Sequence, residues 1–260
     1  MAGALPVATP WTTVESSRVR LVAGRADGSS RLLAGIEIEM ADGWKTYWRN
    51  PGSSGVPPRI DWSQSTNLAS ARLAFPAPSR FVDRDGDTIG YKKYVVLPLE
   101  LSAADATRPI DLKVALEYGV CKDICIPIEV ALSLAVPADA TTFAPDSRVL
   151  IALAHVPRTG ADTKPKDPAL QSFKAELAGD KPRLAFDVAF PGGNAGADLF
   201  VEAPEGLWVP LARKAGEDGE TVRFEIDLTD GADIEALKGK ALAVTLVSDA
   251  GQSETSVQLP

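Results

Sequence analysis

At 260 residues the chain exceeds the usual size of one domain, so two domains of the sandwich type are expected. A formal charge of -8 and a sequence pI near 4.8 exclude a nucleic-acid surface, which needs a basic patch, and suit small molecules or protein partners. The 20 prolines and 21 glycines, set among short alternating runs with little helical periodicity, favour an all-β architecture.

The amino terminus, Met1 to Pro6, has neither a basic region nor an apolar run, so it does not read as a signal peptide. No stretch reaches the roughly 18 uninterrupted apolar residues of a membrane span. The chain is therefore either cytoplasmic or the mature or excised portion of an exported protein.

Val19, Leu21 and Ala23 alternate weakly as a first strand. Leu32, Ala34, Ile36, Ile38 and Met40 alternate strictly and end at the Asp42-Gly43 turn signal. Trp44, Tyr47 and Trp48 follow, leading into Pro51 to Pro58, a stretch dense enough in proline and glycine to predict a shaped surface loop. Ile60 with Trp62, and Ala69 to Phe75, read as short strands. Val82 to Thr88, with the acidic tip Asp83-Arg84-Asp85-Gly86-Asp87, reads as a mobile loop. Val95, Leu97, Leu99 and Leu101 form a strand in which Pro98 predicts an edge or bulge.

The only two cysteines come next. Ile110, Leu112, Val114, Leu116, Tyr118 and Val120 alternate with a set ending at Cys121; Ile126, Ile128, Val130, Leu132, Leu134 and Val136 alternate with a set starting at Cys125. Lys122, Asp123 and Ile124 close a hairpin, whose flanking residues sit roughly 4.5 to 5.5 Å apart at Cα, within reach of a disulfide. Both cysteines are predicted on the polar, solvent side. Closing so short a ring stabilises the fold by only about 2 kcal/mol. Exposed disulfides are also the reducible ones, so a redox-active pair ranks ahead of a structural staple. A metal site ranks third, because two thiolates need further ligands and His155 is the sole histidine.

Residues 10–137 thus read as one immunoglobulin-like sandwich. Ala138 to Pro168 reads as a linker containing a short helix from Asp146 to Val156, with His155 as a surface or capping residue in its last turn. Residues 169–260 read as a second sandwich, from runs at Leu184 to Phe190, Leu199 to Val201, Leu207 to Leu211, Val222 to Leu228, Leu242 to Leu246 and Thr255 to Leu259. It carries no cysteine, histidine or phosphate loop, which suggests a spacer or docking role. The fold expected is all-β, with two immunoglobulin-like β-sandwich domains in tandem.

Four motifs carry a family likeness: Asp42-Gly43-Trp44-Lys45-Thr46-Tyr47-Trp48-Arg49-Asn50-Pro51-Gly52; Phe75-Pro76-Ala77-Pro78; Gly90-Tyr91 ahead of Val95 to Leu99; and Tyr118-Gly119-Val120-Cys121 with Cys125-Ile126-Pro127. Their order and spacing resemble the periplasmic amino-terminal domain of the DsbD and ScsB family of transmembrane thiol:disulfide reductases. The second sandwich resembles, less distinctly, the extra domain of the ScsB-like branch.

The resemblance implies a periplasmic module that takes electrons from an upstream membrane or thioredoxin-like reductase domain and hands them to oxidised thioredoxin-fold proteins, with no cofactor. It implies Cys125 as the sulfur attacked in the mixed disulfide and Cys121 as the resolving one. It assigns Trp44, Tyr47 and Trp48 to an aromatic segment beside the hairpin, and Phe81 to Tyr91 to the segment that caps the cysteines. The DsbD branch carries five residues between its cysteines and an aromatic at the cap tip, where this chain has three residues and the acidic tip.

By position, Lys122 favours a thiolate on Cys121, while Asp123 and Glu117 oppose it, so thiols near the ordinary pKa are expected. Two rival readings remain open: a secreted binding module with an inert disulfide, and a copper-handling protein using the cysteine pair, with Met1 and Met40 as the only further soft ligands.

Overall fold

The computed structural model describes residues 7–25, 32–52, 54–82, 86–137, 146–204, 206–229 and 231–260. Two compact units emerge, the first built from Met1–Phe81 and Thr88–Val156, the second from Val82–Asp87 and Pro157–Pro260. The expected cap tip at Asp83 to Asp85 and the first part of the expected linker, residues 138–145, lie outside the described residues.

The first unit contains β1 (Val7–Ala8), β2 (Thr12–Val14), β3 (Ser17–Arg25), β4 (Leu32–Met40), β5 (Lys45–Gly52) and β6 (Arg59–Asp61). It continues with β7 (Leu68–Leu73), β8 (Ser79–Phe81), β9 (Thr88–Lys92), β10 (Tyr94–Ala103), β11 (Ile110–Cys121) and β12 (Cys125–Val136). These strands make two antiparallel sheets, one in the order β1-β3-β4-β10-β7 with β2 on β3, the other β12-β11-β5-β9-β8 with β6 on β11. The alternating apolar residues read from the sequence fill the interior: Ile36, Ile38, Leu97, Leu99, Leu112, Val114 and Leu116 are all buried. The hydroxyls of Ser17 on β3 and Tyr118 on β11 meet at 2.8 Å and join one sheet to the other.

Pro98 stands in an interior strand, not at the expected edge, because β10 pairs with β4 on one side and β7 on the other. The Pro98 carbonyl accepts from Ala74 N at 2.8 Å, just past the end of β7, whose ladder begins at Leu99 opposite Leu73. The donor that proline lacks therefore points to where no ladder bond is required.

Helix α1 (Ser147–Ala154) starts at Asp146, whose carboxylate accepts from the backbone N–H groups of Arg148 at 2.9 Å and Val149 at 3.4 Å. It packs Val149 and Ala152 on Val22, Leu33 and Val96 of the first sheet. The helix is thus part of the first unit, not of a free linker. Gly35 makes room for it, since a Cβ there would stand 2.7 Å from Val96 Cγ1 and 3.1 Å from Val149 Cγ2. Arg148 also reaches the buried Glu37 at 2.9 Å, and the same carboxylate receives Arg20 at 2.6 Å and the Tyr94 hydroxyl at 2.8 Å. His155 ends the helix as its C-cap.

The second unit contains β13 (Ala169–Glu176), β14 (Arg183–Ala189), β15 (Asp198–Glu202), β16 (Arg213–Asp218), β17 (Thr221–Asp227), a short helix α2 (Ile234–Leu237), β18 (Ala241–Ser248) and β19 (Gly251–Gln258). Sheets β13-β14-β17-β16 and β15-β18-β19 enclose a core that includes Leu184, Phe186, Val222, Phe224, Val244 and Leu246. Leu207 to Leu211 is irregular, not a strand, flanked and interrupted by Pro204 and Pro210, which donate no ladder bonds. The segment from Thr159 to Pro168 is tied down as well: buried Asp167 pairs with Arg158 through Nε at 2.6 Å, and Arg158 exchanges backbone hydrogen bonds with Gln252 and Glu254.

Candidate redox site

The cysteine hairpin forms in the predicted register. Strands β11 and β12 pair without a break from Ile110 opposite Val136 to Cys121 opposite Cys125, and Lys122 N donates to Ile124 O at 3.1 Å across the three-residue loop. Cys121 and Cys125 are joined by a disulfide, with their Cα atoms 4.2 Å apart.

The two sulfurs differ in environment. Alternation predicts both cysteines facing solvent, but Cys121 is only 2 % exposed whereas Cys125 is exposed. Sheet order explains the difference. Strand β12 is the outer strand, so among the described residues no strand pairs with it on the far side of Cys125, whereas β11 is interior and at its end β5 runs alongside, with Val120 opposite Thr46 and Cys121 opposite Lys45. Residues directly opposite in an antiparallel pair project to the same face. Cys125, Cys121, Lys45 and Lys92 thus make one row across β12, β11, β5 and β9.

The adjacent row on this face holds Tyr47, with Gly90 opposite it on β9 and Gly119 beside it on β11. Its hydroxyl lies 3.2 Å from Cys125 Sγ. A disulfide sulfur carries no hydrogen, so the phenolic O–H donates and the sulfur accepts. Glycines make the bed for this ring. A Cβ at Gly55 would stand 2.6 Å from Tyr47 Cδ1, and one at Gly119 3.3 Å from Tyr47 Cε2 and 2.9 Å from Val56 Cβ. The Thr46 hydroxyl donates to Gly119 O at 2.8 Å and fastens β5 to β11 at this level.

Trp48 and Tyr91 lie on the opposite face. Trp48, one residue on from Tyr47, is fully buried in the sandwich, and Tyr91, the register partner of Thr46, donates its hydroxyl to Pro76 O at 2.7 Å. Both side chains are buried. Trp44 is half-buried at the turn ahead of β5.

Phe81, opposite Thr88, lies on the same face as Lys45 and Lys92. Lys92 Nζ lies 4.4 Å and Lys45 Nζ 5.7 Å from its ring centroid, and Lys45 Nζ donates to Thr88 Oγ1 at 2.8 Å. Lys45 and Thr88 are buried polar residues that the sequence reading did not single out, because a lysine beside Trp44 and a threonine next to the acidic tip look like exposed positions. Lys122 is exposed and folds back over the turn at Gly43, where a Cβ would stand 3.1 Å from its Cε. Next to Cys125, Ile124 is 66 % exposed. Among the described residues, no three His, Cys, Asp or Glu side chains converge as a metal site. No helix among them is long and apolar enough to cross a membrane.

Residues 19–137 match the family described as thiol:disulfide interchange protein DsbD, N-terminal. The crystal structure of the N-terminal periplasmic domain of ScsB from Proteus mirabilis shares the fold across both units, with a TM-score of 0.73 and 24 % identity over 98 % of each chain. The Neisseria meningitidis DsbD N-terminal domain in its reduced form aligns at 15 % identity over 46 % of this chain and 85 % of its own, with a TM-score of 0.29. No curated protein matches the chain. The matched segment ends at Pro137, just past the strand that follows Cys125, and so contains the whole hairpin. Residues 19–137 of this chain therefore form a DsbD/ScsB-like amino-terminal thiol:disulfide domain, with the Cys121–Cys125 disulfide at the tip of its β11–β12 hairpin.

Proposed function

We propose that the chain is a periplasmic electron relay in which Cys121 and Cys125 cycle between disulfide and dithiol. An upstream reductase domain, borne on a membrane protein or of thioredoxin type, supplies the electrons, and oxidised thioredoxin-fold proteins receive them. The observation that carries this reading is the asymmetry of the pair: Cys125 is exposed on an outer strand while Cys121 is buried behind it. Thiol:disulfide exchange needs the attacking sulfur in line with the bond that breaks, so an incoming thiolate reaches Cys125 and expels Cys121. The sheltered Cys121 then serves to resolve mixed disulfides. Ile124 and Val56, both exposed beside the hairpin, supply an apolar rim on which a partner docks, with Lys122 at its edge. The second sandwich serves as a spacer or docking element.

The test is to equilibrate the oxidised protein with a reduced thioredoxin-fold dithiol and count free thiols. Transfer of two electrons to the Cys121–Cys125 pair supports the relay. A disulfide that stays intact at a large excess of reductant supports an inert structural bridge instead.

A further inference from the structure

Tyr47 is fixed to an unusual degree for a side chain beside a redox pair. It is 2 % exposed, Gly55 leaves no space for a Cβ at one edge of its ring, and Gly119 leaves little at the other. At Gly90 a Cβ would stand 2.0 Å from Thr46 O and 2.8 Å from Tyr47 Cα, so the strand carrying the tyrosine is also pressed closely against its neighbour. Within this setting the hydroxyl meets Cys125 Sγ at 3.2 Å, across 78 positions of sequence. A donor already aimed at the atom where negative charge appears stabilises that charge without reorganisation. A phenol is a weaker acid than a thiol, so the proton stays on oxygen and the hydrogen bond to a thiolate is charge-assisted.

We propose that Tyr47 is a catalytic residue of the exchange reaction, donating its hydroxyl hydrogen to Cys125 Sγ whenever that sulfur is a thiolate. This rests on Cys125 being the sulfur that exchanges with partners. A thiolate of the reducing dithiol attacks Cys125 Sγ and forms the mixed disulfide; the Cys121–Cys125 bond breaks, and its electron pair stays on Cys121, which takes up a proton. The second thiolate of the reductant then attacks its own sulfur in the mixed disulfide. The bond to Cys125 breaks, and its electron pair leaves on Cys125 Sγ, where the Tyr47 hydroxyl receives it. The reductant has become a disulfide and the Cys121–Cys125 pair a dithiol. Held as a thiolate, Cys125 next attacks the disulfide of the oxidised acceptor. Charged groups elsewhere around the hairpin also act on Cys125: Lys122 and Asp123 in the loop, Glu117 and Glu129 lower on β11 and β12, and Lys45 and Lys92 along the row. The assay therefore compares variants that differ by one oxygen.

In a Cys121→Ser protein, thiolate absorbance is followed against pH with Tyr or Phe at position 47. Phenylalanine keeps the ring between Gly55 and Gly119, and thermal unfolding verifies the fold. The expected result is a rise of about one pH unit in the Cys125 midpoint, a tenfold fall in thiolate below it. The same exchange in a Cys125→Ser protein is expected to leave the Cys121 midpoint in place. An unchanged Cys125 midpoint, or equal shifts at both cysteines, overturns the proposal. A Cys125 that alkylates at the same rate at neutral pH in both proteins does so as well. None of these readouts needs a protein partner, so failure of the relay reading itself is seen separately, in the exchange with a thioredoxin-fold dithiol.

Discussion

Gly35→Ala tests how the helix is seated on the first sheet. The new methyl carbon would lie 2.7 Å from Val96 Cγ1, 3.1 Å from Val149 Cγ2 and 3.2 Å from Val22 Cγ2, all below ordinary carbon contact. Two of these neighbours belong to the sheet and one to α1, so relief requires Val96 to leave its rotamer or the helix to lift. Overpacking of this kind costs about 1 to 3 kcal/mol, and replacing a strand glycine returns about 0.5 to 1 kcal/mol. The net loss is about 1 to 2 kcal/mol, a fall of roughly 3 to 6 °C in the melting of the first unit. The mechanism is isolated by a double-mutant cycle: in a Val96→Ala background the same Gly35→Ala change should cost about 1 kcal/mol less. Urea unfolding followed by far-ultraviolet circular dichroism reads both steps. Equal costs in the two backgrounds, or no loss at all, would refute the packing argument. Thiol exchange at the hairpin, which lies on the other sheet, should be unaffected.

Gently reduced protein should alkylate at Cys125 first, about tenfold or more ahead of Cys121, because the latter is reached only through local opening; mass spectrometry of partly labelled protein reads the order, and equal labelling contradicts the assigned burial. Gly90→Ala should abolish folding of the first unit, since the obstructing atoms, Thr46 O and Tyr47 Cα, are backbone of the neighbouring strand, and soluble protein with native melting would contradict this. Burial alone would raise the carboxyl pKa of Asp146, but the hydrogen bonds and charge of Arg148 and the helix N–H groups outweigh it and hold the group below the usual aspartate range. A depressed folded-state pKa contributes stability that is present above the unfolded value, near 4, and is lost as pH falls through the folded value. Asp146→Asn should therefore lower stability at neutral pH by about 1 kcal/mol and flatten its loss as pH falls below about 4, as measured by thermal melts on the acid side; an unchanged acid profile counts against the cap.

The hairpin was legible because its period-two pattern runs through Cys121 and Cys125 and breaks only at three polar-flanked loop residues. Strand β5 was hidden: Lys45 and Thr46 are polar yet buried, which breaks the alternation, and the loop expected from Pro51 overlaps the strand's end at Gly52. Strand β16 was hidden for the opposite reason, since Arg213 to Asp218 is an outer strand with every side chain exposed and so has no apolar alternation. Grouping Trp44, Tyr47 and Trp48 as one aromatic segment ignored parity, which alone separates Tyr47 on the cysteine face from Trp48 in the core. Cys121 looked exposed because alternation reports a face of one strand and not which strands lie beside it; its burial is decided by β5, a partner far away in sequence. The Tyr47 contact with Cys125 depends on Gly55 and Gly119 lacking side chains, a relation that only the folded chain brings together.

The most direct measurement is trapping of the mixed disulfide. Cys121→Ser protein, with Cys125 free, is mixed with an oxidised thioredoxin-fold protein and resolved on a non-reducing gel, with Cys125→Ser protein alongside. The relay account predicts an adduct joined through Cys125 and none through Cys121. Adducts formed equally by both variants would contradict the division of roles, and no adduct with either would contradict the relay.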